Sequence, residues 1–172
     1  MTCRLNIVGW LTLTLLLALT CASVRAHDPL DITAQARLLP GGIELRLTLA
    51  WSTASRLLAD GPAGAVIRPE QFDEIRPALE LRAPAFLPVS ANGKTLAPKS
   101  VATELSRDGD VKILLLFPAV AATRFRFDAA LLKALPEGGT VFLLARGPGA
   151  DPFVHERMTL EKPACEIAAF PL

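Results

Sequence analysis

The chain has 172 residues, 51% of them hydrophobic and 20% charged, and a formal net charge of +1. That length sets one domain as the expectation, and the apolar content excludes a disordered chain. So even a charge balance also argues against a nucleic-acid partner, which calls for a basic surface to neutralise phosphates.

Taken in chain order, the first segment is an export signal. Arg4 gives a positive start, Ile7 to Leu19 an apolar run, and Val24-Arg25-Ala26 the small residues read at a cut. The run falls short of the ~20 apolar residues of a membrane span. Residues 1–26 are therefore expected to be a cleavable signal peptide and residues 27–172 a single exported domain, periplasmic or extracellular. Arg4 and Arg25 leave with the signal, which takes the charge just below zero. Cys3 and Cys21 leave too, and Ala18-Leu19-Thr20 lacks the small residues that precede a lipidated cysteine. Cys165 remains alone, as a buried thiol in the first instance, with an intermolecular bridge or a ligand as the alternatives.

Strand patterns dominate the chain beyond the signal. Leu30, Ile32, Ala34, Ala36 and Leu38 alternate with polar residues, Pro40-Gly41-Gly42 turns the chain, and Ile43, Leu45, Leu47, Leu49 and Trp51 alternate again. Two period-two runs around a glycine-rich turn predict a hairpin with one buried face. Short helices are expected over Thr53 to Ala59, capped by Ser52 and closed by Gly61, and from Pro69 until Pro77 stops the second. Leu79, Leu81 and Phe86 to Val89 read as extended. Asn92-Gly93 and Asp108-Gly109 read as hairpin turns.

Val111 to Phe117 is apolar on both faces and is expected to be a central strand. Phe125 and Phe127 alternate with Arg124 and Arg126, Asp128 is the expected cap of a short helix through Leu135, and Thr140 to Ala145 reads as buried. Phe153 to Glu161 is the last expected strand, with Val154, Met158 and Leu160 inward. About eight strands with little helix predict a mostly β fold. The expected form is an antiparallel Greek-key β-sandwich of Ig-like type, with two or three short helices in its connections.

Two histidines survive the proposed cut, His27 at the new N-terminus and His155 on the last strand. An N-terminal histidine offers its α-amine and a ring nitrogen together, and a second imidazole completes a three-nitrogen set. Planar nitrogen donors suit Cu(II), which heads the divalent affinity series. If the first and last strands ran parallel, as in many Greek-key sandwiches, both histidines would lie at one end. Asp28, Asp151 and Glu156 are the carboxylates expected near the metal, as axial ligands or as groups that orient a ring.

Ala26-His27 and His155, with this layout, resemble the periplasmic copper-resistance proteins. Those are small β-sandwiches whose mature chain begins with histidine and binds Cu(II) through it and another histidine. The resemblance implies a Cu(II) site at His27 and His155. Met158 stands alone where some members carry methionine-rich Cu(I) motifs, and Asp151-Pro152-Phe153-Val154-His155 departs from the family's acid–histidine spacing. Extracytoplasmic domains of nickel- and cobalt-permease-like proteins look similar at the same histidine.

No Gly-x-Ser-x-Gly elbow, His-Glu-x-x-His pair or paired-cysteine zinc motif is present, so an enzyme is not expected. The expected function is exported, non-catalytic binding with copper as the ligand. The alternative is an interaction or scaffold module of an envelope or membrane complex, for which Arg37, Arg46, Arg124, Arg126 and Arg157 would form a basic stripe if their strands were neighbours.

Overall fold

Leu39 and Gly42 close the first hairpin, which joins β1 (Asp31–Leu39) to β2 (Gly42–Ala50) in antiparallel register. Ile32, Ala34, Ala36 and Leu38 of β1 and Ile43, Leu45, Leu47 and Leu49 of β2 are all buried, as the alternation requires. The computed structural model describes residues 30–58, 68–136, 138–148 and 152–169. The segment expected to be a signal, His27, Asp28 and Asp151 lie outside them, as do Ala59 and Gly61 at the expected end of the first helix.

The described residues are mostly β and form two sheets. One holds β1 and β2 with β5 (Ser100–Leu105), β6 (Asp110–Pro118), β8 (Thr140–Arg146) and β9 (Pro152–Met158), in the order β5-β6-β2-β1-β8-β9. The other holds β3 (Val89–Ala91), β4 (Lys94–Thr95), β7 (Arg124–Asp128) and β10 (Ala164–Ala168), in the order β10-β7-β3-β4. Phe125, Phe127 and Ile167 of the smaller sheet share one buried core with the inward side chains of the larger one. The arrangement is consistent with a β-sandwich.

Several expectations change. The sheets are not wholly antiparallel, since β1 runs parallel to β8 from Asp31 beside Thr140 to Arg37 beside Arg146. A parallel pair needs a long crossover, and here most of the chain lies between the two strands. The strand expected to run to Glu161 ends at Met158, and Leu160 is 44% exposed. A turn comes next, in which the Thr159 N–H donates to the Lys162 carbonyl, and it delivers the chain to β10, a strand that alternation does not mark. Asp128 does not cap a helix; it accepts a hydrogen bond from Arg126 Nε at 3.1 Å, and Ala130–Ala134 forms a 3₁₀ segment.

The turns follow their glycines. Asn92 and Gly93 both take positive φ, 48° and 79°, as a two-residue turn between β3 and β4 demands. Gly109, at φ 83°, donates its N–H to the Ser106 carbonyl in the turn before β6. β6 is flanked by β2 and β5, as its apolar run predicts, but its outer face stays partly open, with Leu116 38% exposed.

Two α-helices lie among the described residues. The first, α1, spans Trp51–Leu58 and buries Thr53, Ala54 and Leu57. The second, α2, spans Phe72–Arg82 and passes through Pro77, where the sequence predicts a stop. Proline inside a helix costs about 3 kcal/mol. Contacts beyond it hold the last turn: Leu79 is fully buried, Glu80 Oε1 accepts from the Thr103 N–H and hydroxyl, and Arg82 donates to the Leu57 and Leu58 carbonyls. Leu79 and Leu81 are therefore helical, not extended.

Candidate functional site

His155 sits on β9, at the edge of the larger sheet, with its side chain exposed on the outer face. Its register neighbour on β8 is Leu144, which lies beside Gln35 of β1. Since β9 runs antiparallel to β8 and β8 parallel to β1, the first strand and this one run in opposite directions. The start of β1, Asp31, is level with Thr140, whereas the start of β9, Pro152, is level with Arg146. At ~3.3 Å per residue those rows are about 20 Å apart. The described starts of β1 and β9 thus lie at opposite ends of the sheet. Glu156 alternates onto the inner side with the buried Met158 and bonds Lys162, so it does not stand beside His155. Among the described residues no three His, Cys, Asp or Glu side chains converge.

The five outward arginines divide. Arg37 and Arg46 lie on the outer face of the larger sheet with Arg157, whereas Arg124 and Arg126 lie on the smaller one. They are not one stripe. Arg126 is held by Asp128 and Glu166, and hydrogen bonding to Asp128 keeps its guanidinium pKa above the ordinary value. Cys165 is a buried free thiol, and burial pushes its pKa up, which suppresses the reactive thiolate.

A cavity of about 300 Å³ opens at the end of the fold where the β1–β2 hairpin turns. Leu38 and Ile43 contribute one wall, Phe125 another, and Val120, Ala122 and Ala169 complete it from the segments around β7 and after β10. Gly42 belongs to the same wall, with φ 142° and its Cα facing the Phe117 carbonyl of β6. Every lining residue is Leu, Ile, Val, Phe, Ala, Pro or Gly. The cavity thus holds no titratable side chain and no nucleophile, and it suits retention of an apolar group.

Sequence pattern alone does not announce this site, because three separate turns build it. One signal is present: Pro118-Ala119-Val120-Ala121-Ala122 is an apolar stretch in a connecting segment, where polar residues are the rule.

Comparison with models of known families and with curated proteins found no match to this chain.

Proposed function

We propose that this chain is an exported, non-catalytic binding domain whose ligand seats its apolar part in the cavity between Leu38, Ile43 and Phe125. The observation that carries the reading is the chemistry of that lining: an open-mouthed cavity walled by apolar residues, with no acid, base or nucleophile. A cavity of that size lies at the lower limit of small-ligand sites. A Greek-key, Ig-like sandwich fits the same reading, since the chain passes repeatedly from one sheet to the other, after β2, β4, β6, β7 and β9. A neutral, environment-sensitive apolar dye tests it. The dye is expected to brighten on mixing with the protein, and Ala122→Trp, which fills the cavity, is expected to abolish the signal with the melting temperature unchanged. Equal brightening with both proteins would refute the reading.

A second reading, Cu(II) bound by His27 with His155, is favoured by one observation: the His155 side chain is open to solvent on an edge strand. The four steps from His27 to Asp31 reach at most ~14 Å. A shared site therefore requires the N-terminal segment to double back along the outer face toward Gln35. Competition with a chromogenic copper chelator measures it, on protein whose N-terminus is verified by intact mass. One residue added before His27 is expected to weaken Cu(II) binding more than His155→Ala does, because it displaces the amine chelate. Equal copper affinity in the extended, His155→Ala and unmodified proteins would dismiss the shared site. A mature start other than His27 would dismiss the chelate.

A further inference from the structure

A strand at the edge of a sheet leaves alternate N–H and C=O groups unpaired and is a template for one more strand. The two sheets end in β5, β9, β4 and β10, and these edges are not alike. β5 is covered by α2: the Thr103 N–H turns away from β6 and donates to Glu80 Oε1 at 3.1 Å. β4 has two residues. β10 turns Ala164, Glu166 and Ala168 outward, and Glu166 already faces Arg126. β9 is a seven-residue edge, and among the described residues no strand pairs with its far side. Pro152, which has no N–H, and the irregularity at Ala145/Arg146 bound it at one end. The turn from Thr159 to Lys162 bounds it at the other. A run over residues 153–157 is left for pairing.

The side chains along that run select the kind of strand that fits. His155 and Arg157 are exposed on the outer face, and Arg146, half-exposed, stands one strand further in, across from Pro152. Among the described residues neither arginine is in an ion pair, and the register partner of Arg146 on β1 is another arginine, Arg37. Glu156 faces the other side and bonds Lys162. Phe142, the register partner of Arg157, is 40% exposed and gives the patch an apolar floor. Arginine and aromatic residues together are the composition of protein interfaces. Opposite charges across a strand pair stabilise it and like charges destabilise it. A second copy of β9 brings the same His155 and Arg157, whereas an acidic strand brings their complement. We propose that β9 accepts an extended acidic segment of a partner protein as a seventh strand of the larger sheet. Its backbone pairs along residues 153–157, and its carboxylates lie beside Arg157 and Arg146. This surface is separate from the cavity reading, and either can stand without the other.

Fluorescence anisotropy with labelled synthetic peptides tests it. The probe is an alternating glutamate–valine peptide of about eight residues, within the usual length of a strand, and its counterpart replaces glutamate with lysine. The glutamate peptide is expected to bind saturably and about tenfold or more tightly than the lysine peptide, because opposed charges are exchanged for like ones. Arg157→Glu is expected to reverse that preference with the melting temperature unchanged, whereas Arg46→Glu, three strands away on the same face, leaves it in place. Backbone pairing has its own readout. Alternate N–H groups of an added strand face β9, so of two versions N-methylated on the glutamates or on the valines, one is expected to bind and the other not. No binding, equal binding of the two charge types, or indifference to Arg157→Glu would overturn the proposal. Equal binding of both N-methylated versions would overturn strand addition in favour of side-chain docking alone. Self-association of the protein in sedimentation, undisturbed by the glutamate peptide, would assign the edge to a second copy and overturn the proposal as well.

Discussion

Leu47→Asp is expected to leave the domain largely unfolded, or to lower its melting temperature by more than ~10 °C. Leu47 is fully buried at the centre of the larger sheet, with Ala34 on one side and Ile113 on the other, both also fully buried. A carboxylate there has no partner within its row, so it is desolvated or takes up a proton, at a cost of several kcal/mol. Against a typical domain stability of ~5–15 kcal/mol that is a large fraction. Thr48→Asp, one residue on, turns to the outer face beside Lys112 and is expected to change the melting temperature little. Thermal melts of the pair decide the assignment of faces; equal losses, or none in Leu47→Asp, would show it to be wrong.

Gly42→Ala is expected to cost a few kcal/mol, an unusual penalty for one methyl group. At φ 142° a side chain is strained wherever it points. Here it also points at backbone: a Cβ would stand 2.1 Å from the Phe117 carbonyl oxygen. That atom belongs to β6, which pairs with β2 through this end, so relief requires the two strands to part where Gly42 meets Pro118. Gly41→Ala, in the same turn, meets nothing within 4 Å and is expected to be neutral or slightly stabilising. Because Gly42 lines the cavity, its substitution is also expected to weaken dye binding in whatever protein remains folded. Urea unfolding of both variants measures the difference, and equal stabilities would refute the close approach of β6.

Alternation makes the local elements legible. The period-two runs place β1, β2 and the inward face of β7, and Asn92-Gly93 marks a turn whose φ values only such residues take easily; Thr140 to Ala145, read as buried throughout, leaves Phe142 40% exposed on its outer face. Pairing beyond the hairpins is not legible. Nothing near Asp31 announces that Thr140 is its neighbour, because partner choice is settled by which apolar faces close one core. The β1–β8 pair, running parallel, removes the premise that puts the first and last strands' starts at one end. Pro77 misleads for the opposite reason: its local rule is sound, but Leu79, Glu80 and Arg82 are fixed by tertiary contacts stronger than the penalty. The strand at Ala164–Ala168 escapes notice because two buried residues, Cys165 and Ile167, make too short an alternation to stand out.

The candidate site divides along the same line. Alternation with Met158 places His155 outward, as the structure has it, whereas Glu156, its neighbour in sequence, faces the other side. The cavity is a property of three turns meeting, and only the apolar connection at Pro118 to Ala122 foreshadows it.

The proposal that the domain binds through this cavity is tested most directly by mapping amide chemical shifts while the neutral dye is titrated in. The account predicts that saturable shifts gather on Leu38, Gly42, Ile43, Val120, Phe125 and Ala169, while the outer face around His155 and Gln35 stays still. Shifts centred on that outer face, or spread evenly over the domain, would contradict it.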